Sequence, residues 1–298
     1  MSLLSMYIRY NFGKGDRKRD AGLSTPEEIR RFDDLQYGED RKWNVLDVYR
    51  PKDKEGKLPV IVSFHGGGWV YGDKNTYQYY CMSLAQRGFA VVNFSYRLAP
   101  EHKYPSQLVD CNKAIKWVAD HEEEYGFDLD NVFAVGDSAG AHLLSAYCAM
   151  LSDADYAKYY DIDVPEGFIF KAIALNCGIY KQEVGEKRDM NSSLMRDVLP
   201  KGYNKKDLAM FSTYDKINEH FPRVFLMSAN GDFLANQVDI LLPELERNKV
   251  EHVVKIYGKD DRILGHVFHV NIRLEDAKLC NDEECAFFMS HLRKKNDL

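Results

Sequence analysis

The 298-residue sequence lacks any apolar run near the ~20 residues that a membrane-crossing helix needs, and no membrane partner is expected. It also lacks a basic excess. The formal net charge of −6 argues against a nucleic-acid partner. The one basic cluster, Lys14 to Arg19, is interrupted by Gly15 and Asp16 and reads as a solvated tail, not a phosphate site. The N-terminus has neither the apolar stretch nor the cleavage signature of a secretory signal, so a cytoplasmic location is expected. Cysteines are few and scattered: Cys81, Cys111, Cys148, Cys177, Cys280 and Cys285 form no C-x-x-C pair. Most fall in apolar strand or helix patterns, where cysteine is a small buried residue. Neither a disulfide framework nor a metal site is expected. There is no G-x-x-x-x-G-K-[ST] phosphate loop, no internal repeat and no low-complexity segment.

What the chain has is hydrophobic residues, 45% of the total, enough for a sizeable core. From Pro59 onward, short apolar runs alternate with helical patterns. The runs are 59–64, 90–96, 132–135, 172–177, 224–229 and 253–257. Nearly continuous apolar strands separated by helices predict a mostly parallel α/β sheet covered on both faces. The helical stripes match: Leu108, Cys111, Ile115 and Val118; Val238, Leu241, Leu242 and Leu245; Cys285, Phe288, Met289 and Leu292. Two segments break the alternation. "DLQYG" and "NVLDVY", within 33–50, read as an antiparallel edge of the same sheet. Residues 178–222 form a long polar insertion with helical pieces near 191–199 and 205–211, which reads as a lid.

The run "NVFAVGDSAGAHLL" (131–144) stops as a strand at Gly136-Asp137-Ser138-Ala139-Gly140 and resumes as a helix. Glycines two residues before and after Ser138 suit a sharp strand-to-helix turn with its apex residue forced outward. A nucleophile would be placed there; the bland alternative is an ordinary tight turn. "FHGGGW" (64–69) follows another strand. Backbone N–H groups of Gly67 and Gly68, with that of Ala139, would face an oxygen that turns negative during acyl transfer. His65 is read as holding this loop by hydrogen bonding. Asp232, just past the strand 224–229, lies on the same rim as Ser138; it would orient a histidine, or else cap the helix starting near Ala235. His266 and His269 follow the last strand as candidate bases, while Asp260 and Asp261 read as solvated turn residues. Serine, acid and histidine then stand in the chain order that a sheet-rim triad of this architecture requires.

With these parts in place, the sequence resembles the α/β-hydrolase superfamily, and within it the esterase/lipase group related to hormone-sensitive lipase. The motifs are "HGGGW" (65–69), "YRLAPEHKYPSQLVD" (96–110), "GDSAGAHL" (136–143), "GDFLANQ" (231–237) and "GHVFH" (265–269), and the resemblance covers roughly residues 40–295. It implies Ser138 as nucleophile, Asp232 as acid, His266 as base, and Gly67, Gly68 and Ala139 as oxyanion hole. It implies Arg97 and Glu101 as loop anchors. The chain departs at Asn236, where the family often has a second aspartate, and at Val267, where it often has glycine. The aromatic spacing after His266 is kept, which favours His266 over His269.

The expectation is one α/β-hydrolase domain over residues 1–298, with residues 1–40 and 178–222 forming a small cap. Tyr7, Tyr10, Phe12, Tyr180, Met190 and Met195 are available there for a pocket. The implied activity is that of a serine carboxylesterase on short acyl esters, needing no cofactor and no metal. Deacetylation of sugars stays open. So do amide hydrolysis and ligand binding without turnover. The expected partner is a small-molecule ester, and the expected state a monomer or homodimer.

Overall fold

The computed structural model describes residues 1–182 and 190–293. One eight-stranded sheet organises the chain. Its strands are β1 (Ile29–Gln36), β2 (Val45–Pro51), β3 (Leu58–Phe64), β4 (Ala90–Phe94), β5 (Phe127–Asp137), β6 (Ala172–Asn176), β7 (Arg223–Ala229) and β8 (His252–Tyr257). They lie in the order β1-β2-β4-β3-β5-β6-β7-β8. Strand β2 pairs antiparallel with both neighbours, and every other pair is parallel. The helices are α1 (Leu3–Asp20), α2 (Lys74–Ala85), α3 (Ser106–Asp120), α4 (Glu122–Tyr125), α5 (Ala139–Ser152), α6 (Ala154–Tyr159), α7 (Met190–Val198), α8 (Lys205–Phe211), α9 (Asn236–Arg247) and α10 (Glu275–Ser290).

The continuous apolar strands serve two cores. In β3, Val60, Val62 and Phe64 enter one core and Ile61 the other; β5 divides Val132 and Ala134 from Phe133 and Val135 in the same way. Side chains alternate across a strand, so a strand covered on both faces must be apolar at every position. Helices α3, α5 and α9 close the first core, where Leu108, Cys111, Ile115 and Val118 are fully buried. Helices α2 and α10 close the second, through Tyr80, Leu84, Cys285 and Phe288. Each such large side chain contributes roughly 1.5–3 kcal/mol of transfer free energy. All six cysteines are buried and free.

Two expectations are corrected. Strand β1 begins at Ile29, ahead of "DLQYG", because it is an edge strand whose exposed face carries polar residues and hides its period. The cluster Lys14–Arg19 is not a solvated tail but the last turns of α1. Its N-cap is Ser2, whose side chain accepts from the Ser5 N–H. Arg19 is drawn inward, donating to Asp16 (2.9 Å), Asp20 (2.7 Å) and the Thr76 carbonyl (2.5 Å). Helix α1 is further tied to α7: the Ser2 N–H and the Ser5 hydroxyl both donate to Asp197, at 2.7 and 2.6 Å.

In the insertion, α7 and α8 occupy the expected helical pieces, and residues 183–189 lie outside the described residues. Arg97 anchors its loop by pairing with the fully buried Asp110 of α3 (2.9 Å). Glu101 pairs with Arg9 of α1 (2.6 Å), and that guanidinium also donates to the carbonyls of Val70 and Ala99.

Helix α5 enters the sheet almost in contact with the end of β3. A Cβ placed on Gly140 would lie 1.9 Å from the Phe64 carbonyl oxygen, whereas nothing lies within 4 Å of one placed on Gly15 in α1. Gly140→Ala is therefore expected to cost on the order of 2–4 kcal/mol in urea unfolding. Gly15→Ala should be neutral, or stabilising by up to about 1 kcal/mol.

Candidate active site

Strand β5 ends at Asp137 and α5 begins at Ala139, so a single residue turns the chain. Ser138 does this at φ 54° and ψ −118°, a conformation that costs an L-residue roughly 1–3 kcal/mol and needs rigid surroundings. The flanking glycines are steric necessities, since a Cβ on Gly136 would meet the Gly140 carbonyl at 2.7 Å. The Ser138 N–H is secured on the Asn176 carbonyl (2.9 Å) at the end of β6. Asn176 in turn donates its side-chain amide to Glu284 of α10 (2.7 Å), which also accepts from the Tyr80 hydroxyl (3.3 Å). Burial raises the Glu284 carboxyl to about 7.

The glycine loop after β3 faces this turn. Gly67 has φ 117°, and a Cβ on it would sit 2.1 Å from the Tyr71 carbonyl oxygen. Among the described residues, the N–H groups of Gly67, Gly68 and Ala139 have no acceptor. His65 holds the loop, as expected. It is buried, stacks on Tyr96 at 4.0 Å and donates from Nδ1 to the Gly66 carbonyl (2.8 Å). Burial lowers its pKa to about 4, which keeps it neutral. A bridge unread in the sequence joins loop and turn: the Gly66 N–H donates to the Tyr77 hydroxyl (3.1 Å), which donates to Asp137 (2.6 Å). Burial raises the Asp137 carboxyl to about 7. Trp69 donates to His142 Nδ1 (3.2 Å), whose Nε2 donates to the Phe211 carbonyl (2.7 Å), so loop, α5 and α8 form one unit.

The predicted acid and base meet. Beyond β7 and β8, Gly231 and Gly265 continue the pairing as a parallel bridge, and the Gly231 N–H donates to the Leu264 carbonyl (3.0 Å). This brings Asp232 and His266 side by side, with the His266 Nδ1–H donating to Asp232 Oδ1 at 2.7 Å. The Asp232 side chain is fully buried, and burial alone would raise its pKa. The hydrogen bond and charge of His266, the Leu234 N–H (2.9 Å) and the Ser228 hydroxyl (2.8 Å) outweigh that and lower it to about 2. Asp232 does not cap α9, whose N-cap is Ala235 without a side-chain bond.

His269 is not the base. Its ring is buried against Tyr80, neither nitrogen has a hydrogen-bond partner among the described residues, and burial lowers its pKa to about 3. Asp260 and Asp261 are exposed. Also unread in the sequence is Cys177, whose thiol lies beside the Asp232 carboxylate and is pushed up by burial and by that carboxylate's charge. The ligand atoms of Cys177, Asp232 and His266 lie within 4.8 Å of one another, the one such grouping among the described residues. The available signal was position, since Cys177 directly follows β6 on the rim that carries Ser138.

Two cavities meet at Ser138 and His266, which line both without a direct hydrogen bond between them. The larger, about 580 Å³, is walled by apolar groups such as Leu4, Ile8, Trp69, Leu194 and Ile240. The smaller, about 350 Å³, carries Asp16, Arg19, Tyr71, Tyr77 and Asp137. Phe12 and Phe233 belong to both, and Phe233 lies over the His266 ring at 4.4 Å. Of the expected pocket residues, Tyr7 and Phe12 line the apolar cavity, Tyr180 and Met195 are buried in the core, and Tyr10 is exposed. The side chain of Met190 lies outside the described residues.

Comparison with known proteins follows the same lines. The family model described as BD-FAE matches residues 46–236. Carboxylesterase NlhH of Mycobacterium tuberculosis is 37% identical over 141 residues, which is 46% of this chain and 44% of that protein. The probable carboxylic ester hydrolase LipM of the same species is 38% identical over 115 residues, 38% of this chain and 27% of its own length. The match thus spans less than half of these curated relatives. The crystal structure of esterase B from Lactobacillus rhamnosis (HN001) superposes with a TM-score of 0.85 at 25% identity, covering 96% of this chain and 94% of that one. A tributyrin-phosphonate-inhibited structure of that esterase gives 0.86 at 25% identity, covering 96% and 94%. The fold is that of the α/β-hydrolases.

Glu284 ties the Ser138 turn to a titration. Its folded pKa near 7 exceeds the ordinary glutamate value, so its contribution to stability is full at low pH and is lost as pH rises through 7. Glu284→Gln keeps a partner for Asn176 and removes that loss. The variant should gain on the wild type by on the order of 1–3 kcal/mol between pH 5 and pH 8, measured by urea unfolding at both.

Proposed function

Since the chain belongs to the BD-FAE family, a hormone-sensitive-lipase-like group of α/β-hydrolases, we propose that it is a serine carboxylesterase acting on short-chain acyl esters. The observation that carries this reading is the 2.7 Å Asp232–His266 pair at a cavity that Ser138 also lines. Ser138 Oγ attacks the ester carbonyl while His266 Nε2 takes its proton. Asp232 stays ionised and fixes the imidazole so that Nδ1 carries a proton and Nε2 is free to act as base. A Ser138–His266 hydrogen bond forms when substrate fills the site. The carbonyl oxygen, now negative, is met by the N–H groups of Gly67, Gly68 and Ala139, and their fixed geometry costs no reorganisation at that moment. His266 then protonates the departing alcohol, leaving an acyl group on Ser138. Water activated by the same imidazole releases the acid. Each step is an acyl or proton transfer that these groups complete among themselves.

The apolar chamber takes the larger apolar half of the ester, and the chamber with Asp16, Arg19 and Tyr71 takes the other. A tributyrin phosphonate inhibits the Lactobacillus esterase, which supports short acyl chains. Polar groups in the smaller chamber favour one second reading, an acetylated sugar with its hydroxyls in that chamber. Helix α1 with α7 and α8 of the insertion act as the cap of the single domain, whereas residues 29–36, expected in the cap, lie in the sheet as β1.

Hydrolysis of p-nitrophenyl esters from acetate to decanoate tests the proposal. Turnover should be highest for the short chains, and Ser138→Ala should lower kcat at least about 10³-fold with unchanged folding. Equal rates in both proteins, or none in either, would contradict an esterase and shift attention to amides and to binding without turnover. Acetylated sugars run beside alkyl esters decide between the two alcohol classes.

A further inference from the structure

The large apolar side chains left at the surface are not spread evenly. Of thirteen among the described residues, six sit at the N-terminus and on α1: Met1, Leu3, Met6, Tyr7, Tyr10 and Phe12. Leu3, Met6, Tyr7 and Tyr10 follow the helical spacing of one stripe, and they are 51–85% exposed. The stripe does not stop at Tyr10. Its next positions along the same face are Lys14, Arg17 and Lys18, all exposed. The opposite face is the packed one, with Ser5 and Ile8 buried.

The outer face of α1 is thus apolar along its first half and basic along its second. The acids of this helix do not cancel that charge, because Asp16 and Asp20, both engaged by Arg19, leave about −1 against the three cations Lys14, Arg17 and Lys18. The helix is also held in place, by Asp197 at one end and by Arg9 on Glu101 in the middle. A fraying tail would not keep these four apolar side chains in register; this helix is pinned with them outward. Isolated surface hydrophobics need no explanation, but a contiguous patch marks a contact surface. An apolar stripe with tyrosines, continued by lysine and arginine, suits a lipid–water interface: the apolar side chains enter the acyl boundary and the cations meet anionic headgroups. The chain as a whole carries −6, so a basic face also orients the molecule, α1 first.

The patch is continuous with the apolar cavity. Tyr7 belongs to the exposed face and also lines the cavity that reaches Ser138, and Phe233, 73% exposed, lines the same cavity. We propose that the outer face of α1 docks the protein on an anionic lipid surface, with the cavity mouth at that surface. Membrane contact was not expected from the sequence because no apolar run is long enough to span; this contact is peripheral. Delivery of an ester from the surface rests on the carboxylesterase reading, whereas the docking does not.

Co-sedimentation with vesicles of phosphatidylcholine alone, and with phosphatidylglycerol added, tests it, with p-nitrophenyl acetate turnover measured in parallel. Two variants are compared: Leu3→Glu/Met6→Glu/Tyr10→Glu, and Lys14→Glu/Lys18→Glu. None of these residues lines the apolar cavity, and turnover of the soluble ester should stay within about twofold in both variants. The wild type should sediment with the anionic vesicles, and each variant should lose on the order of tenfold in partitioning. High salt should weaken wild-type binding. A wild type that stays in the supernatant, or a triple variant that binds as well as the wild type, overturns the proposal. So does light scattering showing a wild-type dimer that the triple variant dissolves, because the face is then a contact between two copies. Failure of turnover in all three proteins, with the wild type bound to anionic vesicles and both variants released, would refute the esterase reading and leave the docking standing.

Discussion

The approach of α5 to the end of β3 is the constraint on which the site depends. Gly140 is so close to the Phe64 carbonyl that no side chain fits between them. That closeness forces the turn between β5 and α5 into one residue, and Ser138 adopts a left-handed conformation as the result. The same closeness sets the glycine loop after β3 beside the first turn of α5. Among the described residues, three N–H groups, from Gly67, Gly68 and Ala139, are left without acceptors around the serine. Strain at Ser138 is offset by what grips it: the Asn176 carbonyl, with Glu284 and Tyr80 behind it, and the Asp137–Tyr77–Gly66 bridge. Both carboxyls in these supports are buried and raised toward neutrality, so the rigidity of the turn is linked to pH.

Sheet order does the rest. Strands β7 and β8 lie beyond β6 on the side away from β3, and their pairing runs on past the strand ends through Gly231 and Gly265. That short extension, more than any property of the side chains themselves, sets Asp232 against His266. The acid then collects donors from His266, Leu234 and Ser228, which keep it charged in a buried place.

Much of this was legible in the sequence because it is dictated locally. Apolar runs of strand length, glycines at fixed offsets from Ser138, and an aspartate three residues past a strand each have a short-range cause. The choice between His266 and His269 needed the resemblance, because both follow β8 in the same loop, three residues apart. Only the structure shows His269 buried against Tyr80. Helix α1 escaped because its apolar residues point outward, where a core-stripe reading does not look, and because Arg19 looked like part of a tail. Cys177, Tyr77 and Phe233 act through contacts between segments far apart in the chain, and no window of sequence contains those contacts. Strand β1 was cut short because an edge strand needs an apolar pattern on one face only.

The central claim is that Ser138 is the reactive group, and covalent trapping tests it most directly. Intact-mass analysis and peptide mapping after exposure to diethyl p-nitrophenyl phosphate should show a single diethylphosphoryl group on Ser138, with ester turnover lost in proportion to labelling. An unlabelled protein that still hydrolyses esters, or a label on another residue that abolishes turnover, would contradict the account.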